Sequence, residues 1–434
     1  MKNDSTFKNI WDIKQTFIYN IDWLLLIVLF LFVYQPPLFS FNIVYLLIIF
    51  LNITNFIEYG NGYIKITINL LKNRILFCMF GCSLMLVLYL VLKGLFSTIH
   101  LKQIYSISLT LLVELYCGFL IAQKFIMKKV SLNRFLEYFV LIGIIQALIS
   151  IIAYIFPEIR NNIVNFYIFR GYPKEVYLYM TWRLYGFSST LTYAMPIIQS
   201  FIACIAIDLG FNKRPLYFFT LPLLLFSSMI NSRFGFLIFF PIAIIQIYLM
   251  NKNDHRISKK NIITLVLITI ICTSVLFFLV YLTIPMTWIW ILSSFRDILN
   301  LFNGSLTGFF AEIFGAGSSQ LQIPSGLLFL FGSGSNIMGG LSGNASDIGF
   351  INDMWIGGIF YFITLWGMFL VVFSYIFNRS FLNHKYLLIT LLCFMLISNI
   401  KGMVITPNEL MSCVYVILTF YIMKLRKIEY NEMA

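Results

Sequence analysis

The sequence predicts an all-α polytopic membrane protein, and three observations carry that reading. Of its 434 residues, 60% are hydrophobic and 11% charged, with mean hydropathy +0.89, whereas soluble domains carry about 25% charged residues. Apolar stretches recur at lengths suited to a hydrocarbon core of about 30 Å, which a helix of roughly 20 residues crosses. The strand alternation of a membrane barrel is absent, and a helix satisfies its own backbone groups where no water can.

Taken in order, the apolar stretches give about twelve expected spans. They fall near 20–35, 41–57, 75–92, 104–123, 136–156, 191–209, 215–230, 233–250, 262–284, 355–377, 385–400 and 409–424. The N-terminal residues lack the apolar core and small-residue cleavage site of a signal peptide, so the first span is expected to stay as an anchor. With that terminus inside, roughly two thirds of the 30 Lys and Arg fall on inner segments. Both termini are therefore expected in the cytoplasm. The net charge of +13 is explained by basic cytoplasmic loops; no basic stretch is long enough for a nucleic-acid surface.

One integral membrane domain, 1–434, is expected, with two outer segments longer than a connection requires. One runs over 157–190 and the other, the long loop between spans 9 and 10, over 285–354 with short helices of its own. Leu327–Phe331, flanked by Pro324 and by Gly332 and Gly334, is too short to span and reads as an interfacial or re-entrant helix. The seven cysteines all fall in expected spans and read as small apolar packing residues. No Cys/His cluster points to a metal, and no cofactor motif occurs.

Candidate site residues gather on the outer side. In WRLYGFSSTLTYAMP, Arg183 precedes a span, with Gly186 and Ser188, Ser189 and Thr190 near the helix start. A helix N-terminus beside a guanidinium is an anion site, although an interfacial Arg can equally bond lipid headgroups. In NSRFGFL, Arg233 stands at the lip of the bundle with Gly235 behind it, and a snorkelling Arg is the alternative. In the long loop Arg296 and Glu312 are candidates for substrate contact, and Asp347 and Asp353 sit beside the next span. Lys401, at the outer end of the penultimate span, adds a cation. Glu114 lies mid-span, where a carboxylate is a functional candidate by default, with no evident partner.

The order of these pieces resembles the O-antigen polymerase and ligase superfamily, and within it the Wzy-type O-antigen polymerases. Arg-x-x-Gly before a span (Arg183, Gly186) is followed by Ser-Arg-x-Gly opening a later one (Ser232, Arg233, Gly235). A long outer loop then ends in a Gly-rich run and Asp-x-Gly ahead of a Gly-containing span. The pattern covers about residues 180–370.

The resemblance implies a GT-C-like fold in the bacterial inner membrane and a metal-independent glycosyltransferase acting at the periplasmic face. Such an enzyme joins undecaprenyl-diphosphate-linked oligosaccharide repeat units into O-antigen or capsular polysaccharide. Arg183, Arg233 and Arg296 would neutralise the diphosphate, because Arg stays charged and binds phosphate oxygens bidentately. A carboxylate, Asp347 by preference, would take the proton of the acceptor hydroxyl. Membrane lipids, a chain-length regulator and a flippase are the implied partners. The related ligases use a histidine in the long outer loop; 285–354 has none, which favours polymerase over ligase. A flippase or exporter of the same glycans is the alternative from another class.

Overall fold

The computed structural model describes residues 22–39, 41–96, 101–169, 186–189, 194–254, 259–283, 319–335, 346–379, 384–406 and 408–432. Gly171, Ile337 and isolated positions between 288 and 311 are described as well. Among these residues the chain is helical and contains no strand. Among the described residues six helices are long and apolar enough to cross a membrane: Arg74–Leu95, Gln103–Met127, Leu132–Ile155, Ala194–Asn212, Phe234–Lys252 and Gly349–Arg379. Shorter apolar helices occur at Trp23–Tyr34, Val44–Tyr59, Pro215–Asn231 and Leu265–Val275. Large apolar side chains such as Ile53, Phe77, Met85, Leu95 and Ile270 stand exposed on the outside, which only a lipid environment tolerates on this scale. The protein is a membrane-embedded helical bundle.

The first half of the bundle comprises α1 (Trp23–Tyr34), α2 (Val44–Tyr59), α3 (Asn61–Leu71) and α4 (Arg74–Phe96). Next come α5 (Leu101–Ser108), a π turn over Leu109–Glu114, α6 (Leu115–Met127), α7 (Leu132–Ile155) and α8 (Pro157–Phe169). The second half comprises α9 (Ala194–Asn212), α10 (Leu221–Asn231), α11 (Arg233–Asp254) and α12 (Lys259–Thr283). It closes with α13 (Leu327–Phe331), α14 (Gly349–Arg379), α15 (Lys385–Lys401) and α16 (Glu409–Glu432). The segment 157–190 contributes α8, which returns against α7.

Small residues decide which helices meet. A Cβ on Gly118 would stand 2.9 Å from Tyr415 Cβ, so α6 and α16 run in backbone contact, with Ala122 buried one turn on. Thr419 Oγ1 donates to the Gly118 carbonyl across the same seam. Phe135 stacks on Phe420 with centroids 3.9 Å apart, adding α7 to this pair. Gly143 of α7 fits between Ile202 of α9 and Leu224 of α10. Helix α9 is central: its apolar window is 94% buried. Aliphatic and aromatic residues fill this interior because packing, not hydrophobicity, drives association inside a bilayer.

At one end of the bundle the charges are paired. Lys124 of α6 bonds Glu58 of α2, and Lys128 bonds Asp22, the N-cap of α1. Glu137 of α7, fully buried, accepts from Arg134 Nη1 at 2.7 Å and from Lys213. Buried His384 lies between Asp208 of α9 and Asn133, its Nε2 2.6 Å from the Asn133 Oδ1. Burial raises the Asp22 carboxyl, but the Lys128 contact and the Leu25 and Leu24 amides outweigh it and hold the group below the usual carboxylate value. These contacts join α1, α2, α6, α7, α9 and α15 at the Asp22 end.

Candidate functional site

The opposite end is built around a helix that breaks. In GFINDMWIGGIF, Gly358 takes φ +75°, a conformation open to glycine at little cost. The break frees carbonyls that an unbroken helix would bond, and each finds a donor. Ser333 N donates to the Trp355 carbonyl at 2.6 Å and Gly334 N to that of Ile356 at 3.0 Å. Tyr89 Oη donates to the Gly357 carbonyl at 3.0 Å, and Lys93 Nζ to that of Ile356 at 3.3 Å. Tyr89 and Lys93, both from α4, also reach the Phe331 carbonyl at the end of α13. A Cβ on Gly358 would lie 2.2 Å from the Leu330 carbonyl oxygen, so the short helix is seated by glycine contacts. The α13 segment is thus a short non-spanning helix, as its length predicts, docked on the break in α14.

The half-helix before the break holds the first carboxylate. Asp353 lies inside α14, where the apolar pattern places it in the loop ahead of a span beginning at 355. The polar residues Asn352 and Asp353 hide the first turns of the helix from a hydropathy reading. The side chain is buried, at 1% exposure, and not solvated over the bundle mouth. Its Oδ2 accepts from Trp366 Nε1 and from Asn399 Nδ2, each at 3.1 Å. Its Oδ1 has no partner among the described residues. Asn399 is itself fixed: its Oδ1 accepts from the Val404 amide at 2.9 Å, and the Cβ-less Gly349 lets α14 approach it. Neighbouring Asn352 ties down the preceding loop, donating to the Ser346 carbonyl at 2.8 Å and accepting from Ile337 N at 2.9 Å.

Asp347 stands just outside, half-exposed, with Lys401 Nζ 3.8 Å from its Oδ2. Two charged residues far apart in the sequence thus meet. The Asp347 amide bonds the Gln320 side chain, Ser346 Oγ donates to the Gln320 carbonyl at 2.6 Å, and Trp355 Nε1 donates to the Gln322 carbonyl at 2.6 Å. Residues 319–322 therefore brace the Asp347 turn.

Both glycines of the arginine motifs are contact residues. A Cβ on Gly186 would stand 2.1 Å from Gln146 Nε2, and one on Gly235 would stand 2.5 Å from the Pro196 carbonyl. Ser200 Oγ donates to the Gly235 carbonyl at 2.8 Å and Ser228 Oγ to that of Pro196 at 2.8 Å, closing α9, α10 and α11 together. Tyr167 of α8 donates to the Ser188 carbonyl at 2.6 Å, and Ser189 N donates to that of Tyr34 at 2.8 Å. Arg233 is the first residue of α11, which packs along α15, so its backbone shares an end with Lys401 and Asp353. The Arg233 side chain, and the whole of Arg183 and Glu312, lie outside the described residues. Arg296 is exposed in a helical stretch of the long segment.

Several residues of this end carry no mark in the sequence. Asn399, Trp366, Lys93, Tyr89 and Glu409 read there as isolated polar or amphipathic positions at span ends. Asn399 is the one with a usable signal, a polar amide inside an apolar run. Glu114, without an evident partner in sequence, has one in space: Gln35 Nε2 donates to its Oε1 at 2.6 Å. A separate apolar recess of about 450 Å³, lined by Ser274, Phe277, Phe278, Tyr281 and Trp288, opens beside α12. Among the described residues no cluster of His, Cys, Asp and Glu is arranged to hold a metal ion. No family model, curated protein or solved structure matches this chain.

Proposed function

We propose that the protein is a lipid-linked oligosaccharide polymerase of about twelve spans and GT-C-like architecture. It would join undecaprenyl-diphosphate-linked repeat units into O-antigen or capsular polysaccharide at the periplasmic face of the bacterial inner membrane. Both termini would lie in the cytoplasm. The observation that carries this reading is the gathering at one end of Asp347, Asp353, Lys401 and the Arg233 helix start. These residues come from distant parts of the chain, and the sequence motifs bring Arg183 to the same segment as Gly186.

In this reading Arg183 and Arg233 hold the diphosphate of the donor, with Arg296 and Lys401 adding positive charge at the mouth. Negative charge grows on the leaving diphosphate in the transition state, so fixed cations there lower the barrier. The acceptor hydroxyl loses its proton to a carboxylate. The geometry favours Asp353 over Asp347 for that task. Asp353 is fixed by Trp366 and Asn399 and keeps one oxygen without a partner among the described residues, while Asp347 faces Lys401. Atoms balance without a metal: the glycan's anomeric carbon leaves the donor diphosphate, bonds the acceptor oxygen, and the proton passes to the carboxylate. The apolar recess beside α12 is of a kind that a polyprenyl chain fits.

The experiment is complementation of a strain lacking its repeat-unit polymerase. Arg183→Ala and Arg233→Ala are expected to leave single repeats on lipopolysaccharide while the polymer ladder disappears. Loss of the single repeats too would point to export or ligation and sink the proposal.

A further inference from the structure

Away from the candidate site, a second carboxylate is buried in the bundle interior with no cation bonded to it among the described residues. Glu114 ends the π turn over Leu109–Glu114 and has no solvent exposure. A π turn inserts a residue into the helical ladder and re-aims the side chains around it, and such turns recur at functional sites. Only Glu114 Oε1 is bonded, to Gln35 Nε2; Oε2 has no partner among the described residues. Gln35 is held for this contact. Its backbone is left-handed at φ 42°, its Oε1 accepts from Asn42 Nδ2 at 2.9 Å, and its Nε2 also donates to Ser412 Oγ at 2.9 Å.

The groups that face Glu114 come from three directions. Helix α16 presents Glu409 and Tyr415, with Ser412 sharing the Gln35 amide; the cap of α1 presents Gln35; its own helix presents Cys117. None of these is a cation, and Glu409 adds a like charge within electrostatic reach. The Tyr415 hydroxyl, also fully buried, is a second polar group without a partner among the described residues. An ionised carboxylate in such a place bears a desolvation penalty of several kcal/mol that one neutral amide does not offset. A hard cation would gather about six oxygens, whereas the described residues give Glu114 a single hydrogen bond, from the Gln35 amide. A proton needs no such shell.

We propose that Glu114 is an exchangeable proton site: its carboxyl carries a proton on Oε2 in the folded protein and gives it up when the bundle opens to solvent. Polar residues of α16 lie between it and the segment beside Gly186. Gln35 bridges Glu114 and Ser412, Glu409 lies three residues before Ser412 on α16, and Ser189 Oγ donates to Glu409 Oε1 at 3.0 Å. The site is independent of the glycan reading, and its function is to hold a charge-neutral bundle interior that can be charged by proton loss.

The test uses the full-length protein in lipid nanodiscs and dicyclohexylcarbodiimide, which attacks protonated carboxyls in apolar surroundings. Peptide mass spectrometry should find the adduct on Glu114, forming more slowly as pH is raised and equally fast in sodium or choline chloride. Glu114→Gln, a neutral group of the same shape, should keep the wild-type thermal transition, whereas Glu114→Ala should lower it. Absence of an adduct on Glu114, labelling that ignores pH, or protection by sodium would overturn the proposal. So would a Glu114→Gln protein melting as low as Glu114→Ala.

Discussion

At the Asp22 end of the bundle carboxylates meet cations: Glu137 is shared by Arg134 and Lys213, Asp22 faces Lys128, and Glu58 faces Lys124. At the other end Asp353 is met by an indole and an amide, and in the bundle interior the described residues bring Glu114 an amide alone. The difference is physical. A cation neutralises a carboxylate and fixes it, so the paired end fastens helices. A neutral donor orients one oxygen and leaves the other available for a proton or a substrate atom. The half-exposed Asp347 pairs more loosely, with Lys401 Nζ at 3.8 Å.

That contrast breaks most plainly at Asp353. Asp353→Asn keeps the shape and the burial, so the protein should fold and reach the membrane at wild-type level while polymer formation in the complementation assay falls to background. Polymer at wild-type level would remove Asp353 from the chemistry and leave it as a packing group. Asn399→Ala should follow the same direction more weakly, since Trp366 still holds Oδ2.

The next largest effect concerns the break in α14. Gly358→Val places a β-branched side chain at positive φ and against the Leu330 carbonyl. The cost is about 3 kcal/mol, read as a lowered thermal transition in detergent by intrinsic fluorescence. An unchanged transition would mean that α14 can close into a continuous helix without α13.

At the paired end effects should be confined to stability. Glu137→Ala leaves Arg134 and Lys213 facing one another, at 20% and 30% side-chain exposure. Both can still reach water, so the loss should be about 2 kcal/mol, below the roughly 3–5 kcal/mol of a fully buried pair. Polymer made per folded molecule should not change. A fall in activity beyond the fall in folded protein would tie the two ends together.

The smallest effect is one of pH. The folded Asp22 carboxyl sits below its unfolded value of 3.8, so its contribution is present above that value. It is lost as pH falls through the lower folded one. Asp22→Asn should therefore flatten the acid side of the stability curve and leave stability near neutral pH lowered slightly but constant. An acid limb identical to wild type would assign acid sensitivity to other pairs.

The carboxylates show how far a sequence reading reaches. Asp347 and Lys401 are visible as charged residues at the ends of apolar runs, but their meeting is a matter of how α14 and α15 pack. Asp353 reads as a loop residue because hydropathy marks a helix only where apolar residues dominate, and a buried polar turn is invisible to it. Glu114 is conspicuous as a charge inside a span. Gln35, which bonds it, is not, because a glutamine after Tyr34 looks like an ordinary end of a helix.

By itself the sequence determined that this chain is helical and membrane-embedded, since composition and apolar run length are sums over local residues and need no knowledge of packing. It also located α13 as a short non-spanning helix, from its length and flanking glycines. Only the tertiary structure decided which polar groups share a pocket. Contacts such as Asp353 with Asn399, or Gln35 with Ser412, join residues far apart in the chain. Their geometry follows from where glycines let helices approach, a property of pairs of helices that no single stretch of sequence contains.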